Sequence, residues 1–227
     1  MQVYYTNDAR SAFTSVLLCG ESGAGKTPIA ATAPNPIMVV SEPGLKSLAS
    51  QRIPYVYGHD HKTAMEVLAW LKGSSETKKY HTCVFDSVSM LSETILIAEK
   101  KKSSDARRYS PETVGKVMEV VLGYIGLAQS GRMNIVMTCK VLDEKDDLTN
   151  ATKKVPFAVQ PKLGPSLPYH FDDVLLLARH RNFQTGQDFT ALQCRWSPEF
   201  PNGRNRLGKL DLYEPPDLLH IFNKELS

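Results

Sequence analysis

FTSVLLCGESGAGKT, residues 13–27, decides how the rest of the chain is read. Its first half is a short apolar, β-branched run (Val16, Leu17, Leu18, Cys19) of the length of a buried strand. Its second half, Gly20, Glu21, Ser22, Gly23, Ala24, Gly25, Lys26 and Thr27, satisfies the phosphate-loop pattern G-x-x-x-x-G-K-S/T at every specified position. Glycines let a backbone wrap closely around a phosphate and turn several N–H groups inward. A helix expected from Lys26 onward adds the positive end of its dipole, and Pro28 falls in its first turn, where a missing N–H costs little. In such a loop the lysine neutralises the β- and γ-phosphates of a triphosphate and the hydroxyl holds Mg2+, roles that fall to Lys26 and Thr27. A glycine-rich surface turn is the plainer alternative. The strand before the loop and the apolar residues after it (Ile29, Ala30, Ala31) weigh against that reading.

A length of 227 residues suits one α/β domain, residues 1–227, with residues 1–12 as an N-terminal extension. The 42% hydrophobic and 22% charged residues are ordinary for a globular chain, and a net charge of +3 is too small to establish a nucleic-acid partner. Cys19, Cys83, Cys139 and Cys194 form no C-x-x-C pair. Each lies in or at the end of an apolar run, the pattern of buried thiols in a reducing cytoplasm without a structural metal. No apolar run approaches membrane-spanning length, and MQVYYTNDAR lacks the apolar centre of a signal peptide, so a soluble, cytoplasmic protein is expected.

Downstream, residues 37–40, 53–57, 82–86, 134–138 and 171–178 have strand character, and 184–187 is the turn of a hairpin completed by 189–196. Helical patterns cover 61–72, 87–102, 111–129 and 216–223, and 73–79 is a polar loop. Residues 140–162 are polar, mixed in charge and without period, which predicts a long mobile loop. The alternation predicts an α/β fold, a mostly parallel central sheet flanked by helices, with a C-terminal antiparallel hairpin. Glu42 follows the second strand, at the strand ends where open α/β sheets build their sites. Asp86 closes the apolar run TCVFD as the acid of a Walker B strand does, facing Mg2+ directly or through water.

GESGAGKT, VVSEPG, VFDSVS and NIVMTCK, in this order and spacing, resemble the RecA-like P-loop ATPase core over residues 13–222. The likeness is greatest to the small bacteriophage-encoded proteins that act in single-strand annealing and recombination. That resemblance implies ATP and Mg2+ as cofactors and Glu42 as the base that orients and deprotonates the attacking water; a helix-capping acid is the alternative. Lys140 stands where RecA carries a glutamine that senses the γ-phosphate, and a lysine cannot accept the hydrogen bonds a glutamine can. Two DNA-facing segments are implied, Lys100, Lys101, Lys102, Arg107 and Arg108 in the first and Lys153, Lys154 and Phe157 in the second. A solvated helix end and a plain charged loop are the alternatives there. Rings or filaments of the chain are implied, with Arg195, Arg204 or Arg206 reaching a neighbour's γ-phosphate in place of RecA's lysine pair. The implied partners are single-stranded DNA, further copies of the chain and a single-strand-binding protein, in a host cytoplasm. The function implied is a DNA-stimulated ATPase that promotes annealing or homologous recombination. A nucleotide-switched phage assembly or packaging scaffold and a small-molecule P-loop kinase are the alternatives, the kinase disfavoured because no arginine-dense lid is present.

Overall fold

The computed structural model describes residues 13–42, 44–145, 151–181 and 185–226. The expected extension over 1–12, the middle of the expected 140–162 loop and Gln184 of the expected hairpin turn lie outside the described residues.

Six strands run parallel: β1 (Ser15–Gly20), β2 (Pro36–Val40), β3 (Tyr55–Tyr57), β4 (Thr82–Asp86), β5 (Asn134–Lys145) and, entering after β6 (Thr152–Pro156), β7 (Asp173–Arg181). Short β9 (Arg204–Asn205) joins β7 antiparallel, and β8 (Asp188–Gln193) and β10 (Tyr213–Glu214) extend the sheet to the order β10-β8-β7-β1-β5-β4-β2-β3. The central strand β1 is buried along its whole length because its two faces are both apolar. Leu17 and Cys19 point into one core with α2 (His61–Gly73), α3 (Val88–Lys102) and α4 (Ala106–Gln129). Val16 and Leu18 point into the other, with α1 (Lys26–Ala30) and α6 (Leu218–Leu226). A short α5 (Leu163–Ser166) precedes β7. The α/β class expected from the alternation of patterns is the one observed.

Local chemistry sets the helix starts. Asp60 accepts from Thr63 N at 2.8 Å and Thr63 Oγ1 accepts from Asp60 N, a capping box that fixes the first turn of α2. The Ser87 hydroxyl caps α3 at Met90 N. Asp105 accepts from Arg107 N at 3.0 Å and starts α4 five residues ahead of Pro111. The segment holding Arg107 and Arg108 is therefore the first turn of a helix, and the irregular connection shrinks to residues 103–105. Residues 75–79 of the expected polar loop form a 3-10 turn.

The larger correction concerns residues 140–162. β5 continues to Lys145 and pairs antiparallel with β6, so the described part of this stretch is a two-stranded ribbon leaving the sheet, followed by a packed turn. Asp143 faces Lys154, and Glu144 faces Lys153. The charges that give the segment the look of a solvated loop are cross-strand neighbours of opposite sign, which stabilise a ribbon without an apolar alternation.

Candidate nucleotide-binding site

Strand register brings the site together. Gly20 is level with Lys140 on one side and Leu177 on the other, Val40 is level with Asp86, and Phe85 is level with Met137. The residues that follow these strands therefore meet at the carboxyl edge of the sheet. There Ser22, Gly25, Lys26, Thr27, Glu42, Ser47, Asp86 and Lys140 line a cavity of about 260 Å3. Five of the side chains singled out in the sequence, Lys26, Thr27, Glu42, Asp86 and Lys140, thus share one pocket.

The loop has the conformation its glycines permit. Gly23 (φ 77°) and Gly25 (φ 96°) occupy the left-handed region, and a Cβ on Gly20 would meet Leu177 O at 3.0 Å. The Lys26 ammonium turns back onto the loop, donating to Gly20 O at 2.9 Å and Glu21 O at 2.7 Å. Burial draws its pKa below the usual lysine range, with Asp86 pulling the other way. Thr27 Oγ1 donates to Asp86 Oδ2 at 2.6 Å, and Thr138 Oγ1 donates to Asp86 Oδ1. Lys140 pairs with Glu93 at 3.6 Å. The helix expected from Lys26 onward is present as the five-residue α1, short enough that its dipole is small.

This donor set fits Mg·ATP. Two oxygen groups suited to a hard cation, Thr27 and Asp86, are already in contact, and a lysine whose present acceptors are loop carbonyls stands beside them. Beyond the loop on the β7 side, Glu21, Gly23, Ala24, Lys154, Arg179, Thr190 and Glu199 line a second cavity of about 570 Å3. Strand character in the sequence ends at Ala178, so Arg179 is not among the candidate residues. β7 in fact continues to Arg181, past the level of the loop.

A family profile described as AAA domain matches residues 12–199. The chain belongs to the AAA-domain family. Its structure is similar to that of the KaiC-like protein PH0186 from the hyperthermophilic archaeon Pyrococcus horikoshii OT3, at 15% identity over 79% of this chain and 76% of that one, with a TM-score of 0.46. It is also similar to that of the RadB recombinase, at 15% identity over 79% and 80%, with a TM-score of 0.44. Among curated proteins no significant match is found. The family match and the loop GESGAGKT together make the chain a P-loop NTPase core.

The remaining candidate residues lie elsewhere in the chain, Arg204 and Arg206 beyond the matched residues 12–199. Lys100, Lys101, Lys102, Arg107 and Arg108 are all exposed at the corner between α3 and α4. Lys102 and Lys116 both hold buried Glu99, at 2.7 and 2.6 Å, Lys100 lies over the Tyr109 ring, and Arg107 pairs with Asp105. Phe157 is half-buried, its N–H donating to Lys140 O and its carbonyl accepting from Ser89 Oγ. Lys153 lies on β6. Lys154 touches the phosphate loop itself, through Glu21. Arg195 donates to the carbonyls of Leu210 and Gly208, closing the loop that carries β9. Arg204 donates to the carbonyls of Pro168 and Phe171, and Arg206 pairs with Asp172 at 3.3 Å. Asp173, beside them, is level with Val16, so Arg204 and Arg206 occupy the sheet edge opposite the phosphate loop. Among the described residues no three or more of His, Cys, Asp and Glu cluster as metal ligands, and no helix is long and apolar enough to cross a membrane. All four cysteines are buried and free.

Proposed function

We propose that this AAA domain is a RecA-like ATPase that hydrolyses Mg·ATP and works on single-stranded DNA in annealing or recombination. The observation that carries the ATPase reading is the meeting of Lys26, Thr27, Asp86, Glu42 and Lys140 around one cavity. When bound, the metal neutralises charge on the phosphates and helps to align them. Thr27 and Asp86 would hold it. Lys26 exchanges its two loop carbonyls for phosphate oxygens. Glu42, exposed on the rim of the cavity, orients a water and takes its proton. Phosphoryl transfer depends mostly on positioning and charge, which is what a carboxylate on that rim supplies. Lys140 is donor-only, so it contributes charge and not the acceptor function of a glutamine.

Support for the DNA half of the reading comes from the α3–α4 corner, where five exposed cations stand with three acids, Glu99, Asp105 and Glu112. The test is the ATP hydrolysis rate across a titration of single-stranded DNA at low salt, with Lys26→Ala as control. A rate that rises with DNA and is lost in Lys26→Ala is expected. A rate indifferent to DNA overturns the DNA half, and a wild-type chain that hydrolyses nothing overturns the ATPase half.

A further inference from the structure

The loop that has to receive a polyanion carries a carboxylate of its own. Glu21 is the second residue of the phosphate loop, and an uncompensated charge there would repel a triphosphate. Lys154 answers it from the β5–β6 ribbon: its ammonium is 2.6 Å from Glu21 Oε1 and 3.1 Å from Asp143 Oδ1 across the ribbon. Its side chain is only 13% exposed, although Glu21 and Asp143 are 64% and 60% exposed. Lysine is seldom covered to that degree without partners. The backbone is fixed as well, Lys154 N donating to Glu199 O at 2.7 Å. Burial opposes the charged form, but the bonds to Glu21 and Asp143 outweigh it and raise the pKa, so the ammonium stays protonated. Two lysines therefore grip one residue of the loop, Lys26 at the Glu21 carbonyl and Lys154 at its carboxylate.

We propose that Lys154 is a positioning residue for the phosphate loop: it cancels the Glu21 charge where the triphosphate docks, so that the β5–β6 ribbon sets nucleotide affinity. This rests on the nucleotide-binding reading above.

The test is calorimetric titration of Mg·ATP into the full chain and its variants, with thermal unfolding measured without nucleotide to confirm folding. Lys154→Met keeps the aliphatic stem and removes the charge. It weakens binding roughly fivefold at low salt, the scale of a partly screened ion pair. Glu21→Gln tightens binding about threefold, because Lys154 is then an unspent cation beside the loop. The double variant returns to within about twofold of wild type, the signature of charges acting through each other. Lys154→Arg retains most of the affinity, and the Lys154→Met deficit shrinks in high salt.

Equal affinity in wild type and Lys154→Met overturns the proposal. So does a double variant as weak as Lys154→Met alone, which would mean that the lysine acts on the nucleotide without Glu21. A wild-type chain that ignores Mg·ATP overturns the nucleotide reading and this proposal together.

Discussion

Thr27 and Asp86 are 59 residues apart in the chain, and the hydroxyl of the first donates to the carboxylate of the second at 2.6 Å. The bond joins the helix after β1 to the tip of β4, and its two partners are the oxygens a divalent cation needs. Asp86→Asn keeps a hydrogen-bonding group and removes the charge. With Mg·ATP at about a hundredfold excess over Kd, wild type gains about 2.7 kcal/mol. For a chain of this size that is a rise in Tm of roughly 5–10 °C. Asp86→Asn loses most of the Mg2+-dependent part of that rise, which differential scanning fluorimetry with and without chelator measures.

Glu42 is exposed and lines the cavity. Glu42→Gln is therefore expected to leave Mg·ATP affinity within about threefold and to slow hydrolysis by roughly a hundredfold or more. Single-turnover rates read beside calorimetric affinities check this. An unchanged rate would remove Glu42 from the chemistry and favour a nucleotide switch over a hydrolase.

The C-terminal helix carries a pH dependence. Asn205 Nδ2 donates to Asp173 Oδ1 at 2.7 Å and also to Glu225 Oε1, holding two buried carboxyls side by side. Burial and the neighbouring Asp173 push Glu225 up to about 8 from an ordinary 4.5. Its folded pKa lies above its unfolded one, so the stability it contributes is full below about pH 4.5 and is lost as pH rises through about 8. The unfolding free energy from urea titrations should fall over that window by an amount on the order of a few kcal/mol. Glu225→Gln should flatten the profile and leave the neutral-pH protein the more stable of the two.

At the α3–α4 corner, Lys101→Ala with Arg108→Ala removes two exposed cations. If both meet phosphates of a single strand, affinity for a labelled oligonucleotide falls several-fold. The slope of log K against log salt then drops by about 1.4. Anisotropy titrations at four salt concentrations provide that slope. An unaltered slope would remove this corner from any DNA path.

Local patterns were legible in the sequence because their meaning is local. GESGAGKT fixes its own conformation through glycines that alone accept the left-handed region. TCVFD is buried because four consecutive residues have nowhere polar to face, and the observed β4 spans the same residues. The ribbon was not legible, since it lies outside the sheet and depends on Asp143 meeting Lys154, a pairing set by register and not by hydrophobic period. The same reason explains Lys154: a lysine in a polar run looks solvated until the fold sets it against Glu21. Arg195 and Arg204 looked like free guanidiniums because their acceptors are backbone carbonyls, which no side-chain pattern announces. β9 and β10 have two residues each, too few for any alternation to appear.

β5 has a mechanical consequence. Its first half is clamped between β1 and β4, its second half projects as one side of the ribbon, and Lys140 stands near the junction. A strand held by hydrogen bonds on both sides cannot creep lengthwise, since a shift of one residue would turn every side chain to the wrong face. What remains is tilt. Load applied to the outer end of the ribbon would become a swing about the sheet margin, with the short arm of that lever beside the cavity that Lys140 lines.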